Sequence, residues 1–245
     1  MTCSVVVPTL TPLTPDGRID RAALPPYVQR AAATWVDAFL VSGSTTRGDL
    51  LTVAQRAEVL DIWLETIDPS RLIACCWHHD DLAVAARRGI APMMVMRDLP
   101  DTAAALRLFA DLPPGSYIYS HPMYTPTVLD ARLAATATAA GVLPAGGKIA
   151  KIGLDGITAL RAVVGDTFQL WDGSSRRIAA SVRAGATGVI ATPLSPIPTP
   201  FPPRELAAVQ AAVDHVQAEL DALPDRPHRT AMLQGRAFHA TAADA

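Results

Sequence analysis

Short, unbroken apolar runs alternate with longer amphipathic stretches along the whole chain. The runs of strand length are Ser4–Thr9, Asp37–Ser42, Arg71–Cys76, Met93–Met96, Ser116–Ser120, Lys148–Ile152, Thr167–Trp171 and Gly188–Thr192. They are rich in Val, Ile and Leu and lack polar alternation, as strands covered on both faces do. Helical patterning fills the gaps, over Arg21–Thr34, Thr52–Ile67, Asp81–Arg88, Thr102–Ala110, Val128–Ala140, Gly156–Val164, Ser174–Ala184 and Pro203–Leu220. Gly89, Gly141, Gly165 and Gly185 fall just past predicted helix ends, where a left-handed cap favours glycine. Asp155 precedes Gly156-Ile157-Thr158 as a candidate N-cap.

Eight predicted strands and eight predicted helices in strict alternation imply a parallel sheet with helical crossovers. For 245 residues this predicts an α/β protein, a (β/α)8 TIM barrel, with its active site at the C-terminal strand ends. The other arrangement is a doubly wound open sheet. No Gly-x-Gly-x-x-Gly follows the first strand, which speaks against a dinucleotide-binding version. The proline-rich residues 193–203 suit the last barrel loop. The expected division is a barrel core over residues 1–203, then the last barrel helix and a short tail over 204–245. That tail is expected to be partly frayed, because patterning weakens after residue 222.

Composition narrows the class. Half the residues (50%) are hydrophobic, 18% are charged, and the formal net charge is −2. No basic excess marks a nucleic-acid groove. No apolar run reaches the roughly 18–20 residues of a membrane span, and no signal-peptide pattern opens the chain. The three cysteines form no disulfide framework, Cys75 and Cys76 being neighbours and Cys3 distant. Reduced thiols in a cytoplasmic protein are expected.

Of 21 basic residues only Lys148 and Lys151 are lysines. Such a bias, with much Ala and Pro, fits a GC-rich genome in which arginine has replaced surface lysine. The two that remain stand in one segment, Lys148-Ile149-Ala150-Lys151-Ile152. Their odd spacing puts them on opposite faces of a strand. Lys148, at the predicted start, can snorkel its stem to solvent, and Lys151, near the predicted end, is expected to face the barrel interior. Burial there disfavours an ammonium. Bringing a lysine from ~10.4 to about 7 costs roughly 4–5 kcal/mol and enriches the neutral amine about a thousandfold. Two uses fit: an ion-paired or snorkelling residue, or an amine kept for attack on a carbonyl.

Several motifs stand at successive predicted strand exits. Val7-Pro8-Thr9-Leu10-Thr11-Pro12 and Asp16-Gly17-Arg18-Ile19-Asp20 open the chain. Gly43-Ser44-Thr45-Thr46-Arg47-Gly48-Asp49-Leu50-Leu51-Thr52 follows the second strand, and Tyr119-Ser120-His121-Pro122 the fifth. With Lys151, Gly173 and Gly185-Ala186-Thr187-Gly188-Val189-Ile190, these residues resemble the dihydrodipicolinate synthase/N-acetylneuraminate lyase family of Schiff-base aldolases. The similarity covers roughly residues 4–195 and implies a shortened, divergent member. The resemblance implies that Lys151 forms an imine with the ketone carbon of pyruvate or a related 2-oxo acid. It implies that Ser44 and Thr45 bind the carboxylate, that Tyr119 relays protons, and that Gly173 and Ile190 line the pocket. It also implies a carbon–carbon lyase that needs no metal or organic cofactor.

Departures from the pattern are specific. The signature's Gly-Glu is Thr46-Arg47 here, and no tyrosine lies between Tyr27 and Tyr117, where the family usually has aromatic residues. The synthase's arginine for a second substrate carboxylate aligns with Tyr124, which argues against dihydrodipicolinate synthase proper. The C-terminal extension is much reduced. Other polar groups take the strand exits: His78 and His79, Arg97 and Asp98, His121 and Tyr124. A histidine there is suited to proton transfer, and Arg47 and Arg97 could clamp an anionic substrate. His78-His79-Asp80-Asp81 lacks the second ligand cluster a metal site would need. The expected partners are a 2-oxo acid and an aldehyde, with no nucleic acid or membrane, and a homo-oligomer is plausible. The alternatives are a hydratase or dehydratase on the same imine, or a barrel that binds a 2-oxo acid without turning it over.

Overall fold

The apolar runs become eight strands. They are β1 (Ser4–Pro8), β2 (Ala38–Val41), β3 (Leu72–Cys76), β4 (Ala91–Val95), β5 (Tyr117–Ser120), β6 (Gly146–Ile149), β7 (Gln169–Asp172) and β8 (Gly188–Ile190). All pair in parallel and in chain order, and β8 returns to β1 to close the barrel. The computed structural model describes residues 3–238. Nine helices lie among these residues: α1 (Leu24–Ala32), α2 (Val53–Leu64), α3 (His79–Arg87), α4 (Thr102–Ala110), α5 (Ala131–Ala139), α6 (Gly153–Val164), α7 (Ile178–Arg183), α8 (Leu206–Ala222) and α9 (Arg226–Phe238). None of them is long and apolar enough to cross a membrane.

Alternation along each strand splits the core in two. Val5, Val7, Phe39 and Val41 face the helices. Val6, Leu40, Ile73, Cys75 and Met93 fill the barrel interior. Helix starts are fixed by side chains. Thr52 and Gln55 form a reciprocal capping box on α2, and Asp101 and Asp130 cap α4 and α5 through the Ala104 and Leu133 N–H groups, each at 2.8 Å. Caps of this kind contribute about 1 kcal/mol each.

Asp155 lies in the first turn of α6, which starts at Gly153, and does not cap it, and two further expectations need correction. The sixth strand starts at Gly146, two residues before the predicted start, and stops at Ile149. Gly146-Gly147, outside the predicted strand, belongs to β6, and the neighbouring strands come too close there for any side chain. A Cβ on Gly146 would lie 2.4 Å from the Gln169 carbonyl oxygen, and one on Gly147 would lie 2.8 Å from that of Ile118. The weakly patterned stretch after residue 222 is not frayed up to residue 238: it forms α9. Only a narrow face of α9 is buried, at Leu233 and Ala237. Polar bonds to the body do the rest: Gln234 Nε2 donates to the Thr11 carbonyl at 3.2 Å and Arg30 Nη2 to that of Ala237 at 2.5 Å. Residues 239–245 of the expected tail lie outside the described residues.

Candidate active site

Strand register points one lysine into the barrel. Lys148 stands opposite Tyr119 on β5 and Trp171 on β7. Residues in register on adjacent strands share a face, and both rings belong to the interior cluster. Lys148 is accordingly only 5% exposed. Its Nζ sits 4.0 Å from the Tyr119 ring centroid, a cation–π arrangement. The Tyr119 hydroxyl lies 3.1 Å from Ser44 Oγ. Above them opens a cavity of about 420 Å³ at the C-terminal strand ends, within the usual size range of small-molecule sites.

Lys151 is therefore not the interior lysine. Strand β6 has ended at Ile149, and Lys151 follows in a left-handed turn with φ of 62°. It is exposed at the cavity mouth. Of the other sequence-predicted site residues, Ser44, Tyr119, His121, Gly173 and Ile190 line the cavity. Gly173 is needed for close approach, since a Cβ there would fall 2.8 Å from the Ala150 Cα. Thr45 does not line it. Residues Ser44–Thr46 form one turn of 3-10 helix, which sends successive side chains about 120° apart, so Ser44 faces inward and Thr45 does not.

Arg47, Arg97, His78 and Tyr124 also stand off the cavity wall. Arg47 forks onto its neighbour Asp49, with Nη2 to Oδ2 at 3.0 Å. Arg97 pairs with the adjacent Asp98 at 3.2 Å and is largely solvated. His78 is exposed at the start of α3, where its backbone N–H donates to Asp81 at 2.9 Å. Tyr124 packs behind Tyr119, ring centroids 5.7 Å apart, and its hydroxyl accepts from Arg226 Nη1 at 3.5 Å. Burial, then the neighbouring Tyr119, pushes the Tyr124 phenol upward.

Sequence reasoning missed Lys148 as the interior amine, Asp172 at the end of β7, and Arg226. Asp172 lines the cavity, accepts from Ser181 Oγ at 2.6 Å and Ser174 N–H at 3.0 Å, and is raised above the ordinary carboxylate range by burial. Arg226 reaches from α9 to the Ser44 carbonyl, while Thr230 Oγ1 donates to the Thr45 carbonyl at 2.8 Å. The last helix thus clasps the loop that carries Ser44. An arginine in a polar tail carries no signal that could have found it.

His121 is pushed below 6.5 by burial, then by the charges of Lys148, Lys151 and Arg226. Its Nδ1 accepts from the Met123 N–H at 2.9 Å, so the neutral ring carries its proton on Nε2. A group lowered on folding binds fewer protons in the native than in the unfolded chain below 6.5. Its contribution to stability is complete above 6.5 and is lost as pH falls toward the lower native value. In an NMR titration the His121 ring is expected to protonate below 6.5, and His121→Asn to weaken the acid-side fall in stability. A midpoint at or above 6.5 would contradict the burial described.

The fold and the polar strand ends define a (β/α)8 barrel with a lysine-centred cavity. Solved structures that share this fold include dihydrodipicolinate synthase from Agrobacterium tumefaciens, at TM-score 0.78 and 19% identity, covering 97% of this chain and 88% of that one. A second is a 2-keto-3-deoxygluconate aldolase variant from Sulfolobus solfataricus, at TM-score 0.74 and 17% identity, covering 96% and 86%. A third is dihydrodipicolinate synthase from Thermotoga maritima, at TM-score 0.71 and 17% identity, covering 95% and 80%. The sequence matches no protein-family model and no curated protein. At these identities the likeness establishes the fold.

Proposed function

We propose that the protein is a class I carbon–carbon lyase or aldolase of the dihydrodipicolinate synthase/N-acetylneuraminate lyase kind. It acts on pyruvate or a related 2-oxo acid, and Lys148 is its imine-forming amine. The observation that carries this reading is Lys148 buried at the cavity floor, against a tyrosine whose hydroxyl bonds to Ser44. The fold shared with synthase and aldolase structures supports it.

The geometry suits each step. The neutral amine attacks the ketone carbon, and the adduct takes up a proton on its hydroxyl and loses water to give a protonated imine. That cation draws electrons from the neighbouring carbon, which sheds a proton, or its bond to the next carbon, to become an enamine. The enamine carbon adds to an aldehyde, whose oxygen takes up a proton. Water then hydrolyses the imine and frees the amine. The Tyr119 hydroxyl, in reach of Ser44, is placed to carry protons over the imine. The Nε2–H of His121 is a second donor on the cavity wall. The substrate carboxylate goes to the Ser44 turn.

Incubation with pyruvate and borohydride, followed by intact-mass measurement and peptide mapping, tests this. The expected result is one reduced pyruvate, attached to Lys148 and lost in Lys148→Ala. An adduct that maps elsewhere, or none with any small 2-oxo acid, would overturn the assignment. Product formation with a panel of aldehydes then separates an enzyme from a barrel that only binds.

A further inference from the structure

The cavity is larger than a three-carbon acid needs, and its outer half is cationic. Its lining includes Lys148, Lys151, Arg176 and Arg177 but only one carboxylate, that of Asp172. Arg176 is neutralised by a fork onto Asp221, at 2.7 and 2.6 Å. Lys151 and Arg177 have no carboxylate within ion-pair distance among the described residues. The Asp172 carboxylate is held by Ser181 Oγ and the Ser174 N–H. In a chain of net charge −2, two unpaired cations at one mouth concentrate a positive field there.

The local backbone brings them together. Strand β7 ends at Asp172, and α7 does not start until Ile178. The residues between, Gly173 to Arg177, form a loop along the cavity, and Ser175 in it is buried although it belongs to no regular element. Lys151 sits on the neighbouring β6–α6 turn in its left-handed conformation, which for a residue with a side chain is held only at some cost. Lys151 lines the same cavity as His121. It is three positions on from Lys148, at most about 10 Å of chain.

We propose that Lys151 and Arg177, with the hydroxyls of Ser174 and Ser175, form a subsite for the far end of the substrate, and that this end carries a phosphate or a second carboxylate. The assignment rests on the imine reading for the near end. The favoured substrate is then a 2-oxo acid of sugar-acid length with a negative charge at each end. The subsite holds the distal anion by charge-assisted hydrogen bonds while the ketone meets Lys148.

A matched set of 2-oxo acids tests this. 2-Oxoadipate and 2-oxohexanoate have the same chain length and differ in the distal carboxylate; 2-keto-3-deoxy-6-phosphogluconate and its unphosphorylated form differ in a phosphate. Half-saturation of borohydride trapping is measured for each in the wild type and in the Lys151→Ala/Arg177→Ala double variant. In the wild type the charged member of each pair is expected to half-saturate at roughly tenfold lower concentration. In the double variant that ratio falls toward one, and because it is taken within each protein, a general loss of amine reactivity cancels. An advantage confined to one pair identifies the distal group as phosphate or carboxylate. Equal half-saturation in the wild type, or a ratio unmoved by the double substitution, overturns the subsite. Calorimetric titration with 2-oxoadipate and 2-oxohexanoate reads the same preference without an imine. If nothing is trapped there and the dicarboxylate still binds more tightly, the subsite stands and the imine fails; no preference there removes the subsite too.

Discussion

Replacing Lys148 by methionine is expected to lower carbon–carbon turnover roughly a thousandfold or more, the scale on which removal of a covalent nucleophile acts. The same change is expected to raise the melting temperature by roughly 2–6 °C. Both effects have one cause. The Lys148 side chain is buried among Tyr119, Trp171 and Ile190, with an aromatic face as its nearest partner. Burying an amine with no hydrogen-bonding or ion-pair partner is costly. A methionine of similar length keeps the packing and removes that cost. A folding role alone would predict loss of stability together with activity. Calorimetry and aldol kinetics on the two proteins decide: a methionine variant that is destabilised, or one that still turns over, would sink the assignment.

Arg56→Leu is expected to destabilise the protein by roughly 3–5 kcal/mol, the usual consequence of breaking one side of a buried pair. Arg56 Nε donates to Asp81 Oδ1 at 2.9 Å, with both side chains almost wholly buried. Its Nη1 also binds the carbonyls of Gly48, at 3.0 Å, and Leu51. The second Asp81 oxygen accepts the N–H groups of Trp77 and His78, each at 2.9 Å. Trp77 Nε1 closes the circuit on the Ser42 carbonyl at 2.9 Å. The turn that carries Ser44 is thus tied to α2 and α3 from below. Urea melts should show the loss, and pyruvate trapping should weaken with it. The double variant Arg56→Leu/Asp81→Leu should recover part of the stability, since no charge is then stranded. A single variant as stable as the wild type would mean that the network is slack.

How far the sequence could be read follows from the same residues. The barrel was legible, because strands covered on both faces give unbroken apolar runs. Ser44, Tyr119, His121, Gly173 and Ile190 were legible too, because each follows or ends such a run. The interior amine was missed because the predicted sixth strand left out Gly146-Gly147 and so put Lys148 at its entry. With β6 running from Gly146 to Ile149, Lys148 is mid-strand in register with Tyr119 and Trp171, and Lys151 falls past the strand end on the mouth; alternation alone leaves open which of the two faces inward. The Ser174–Arg177 stretch was hidden because its polar residues continue smoothly into α7. The role of α9 was hidden because its grip is made of long-range hydrogen bonds, which leave no hydrophobic period.

That grip has a temporal side. Ser44 and Arg226 are 182 positions apart. At ordinary elongation rates a ribosome needs on the order of ten to forty seconds to travel from one to the other. Lys148 is itself made within that interval, and from then until Arg226 follows the Ser44 turn lacks its upper restraint. The turn gains that restraint only once Arg226 and Thr230 have emerged, so chains released before that point would carry Lys148 beneath an unclasped Ser44 turn.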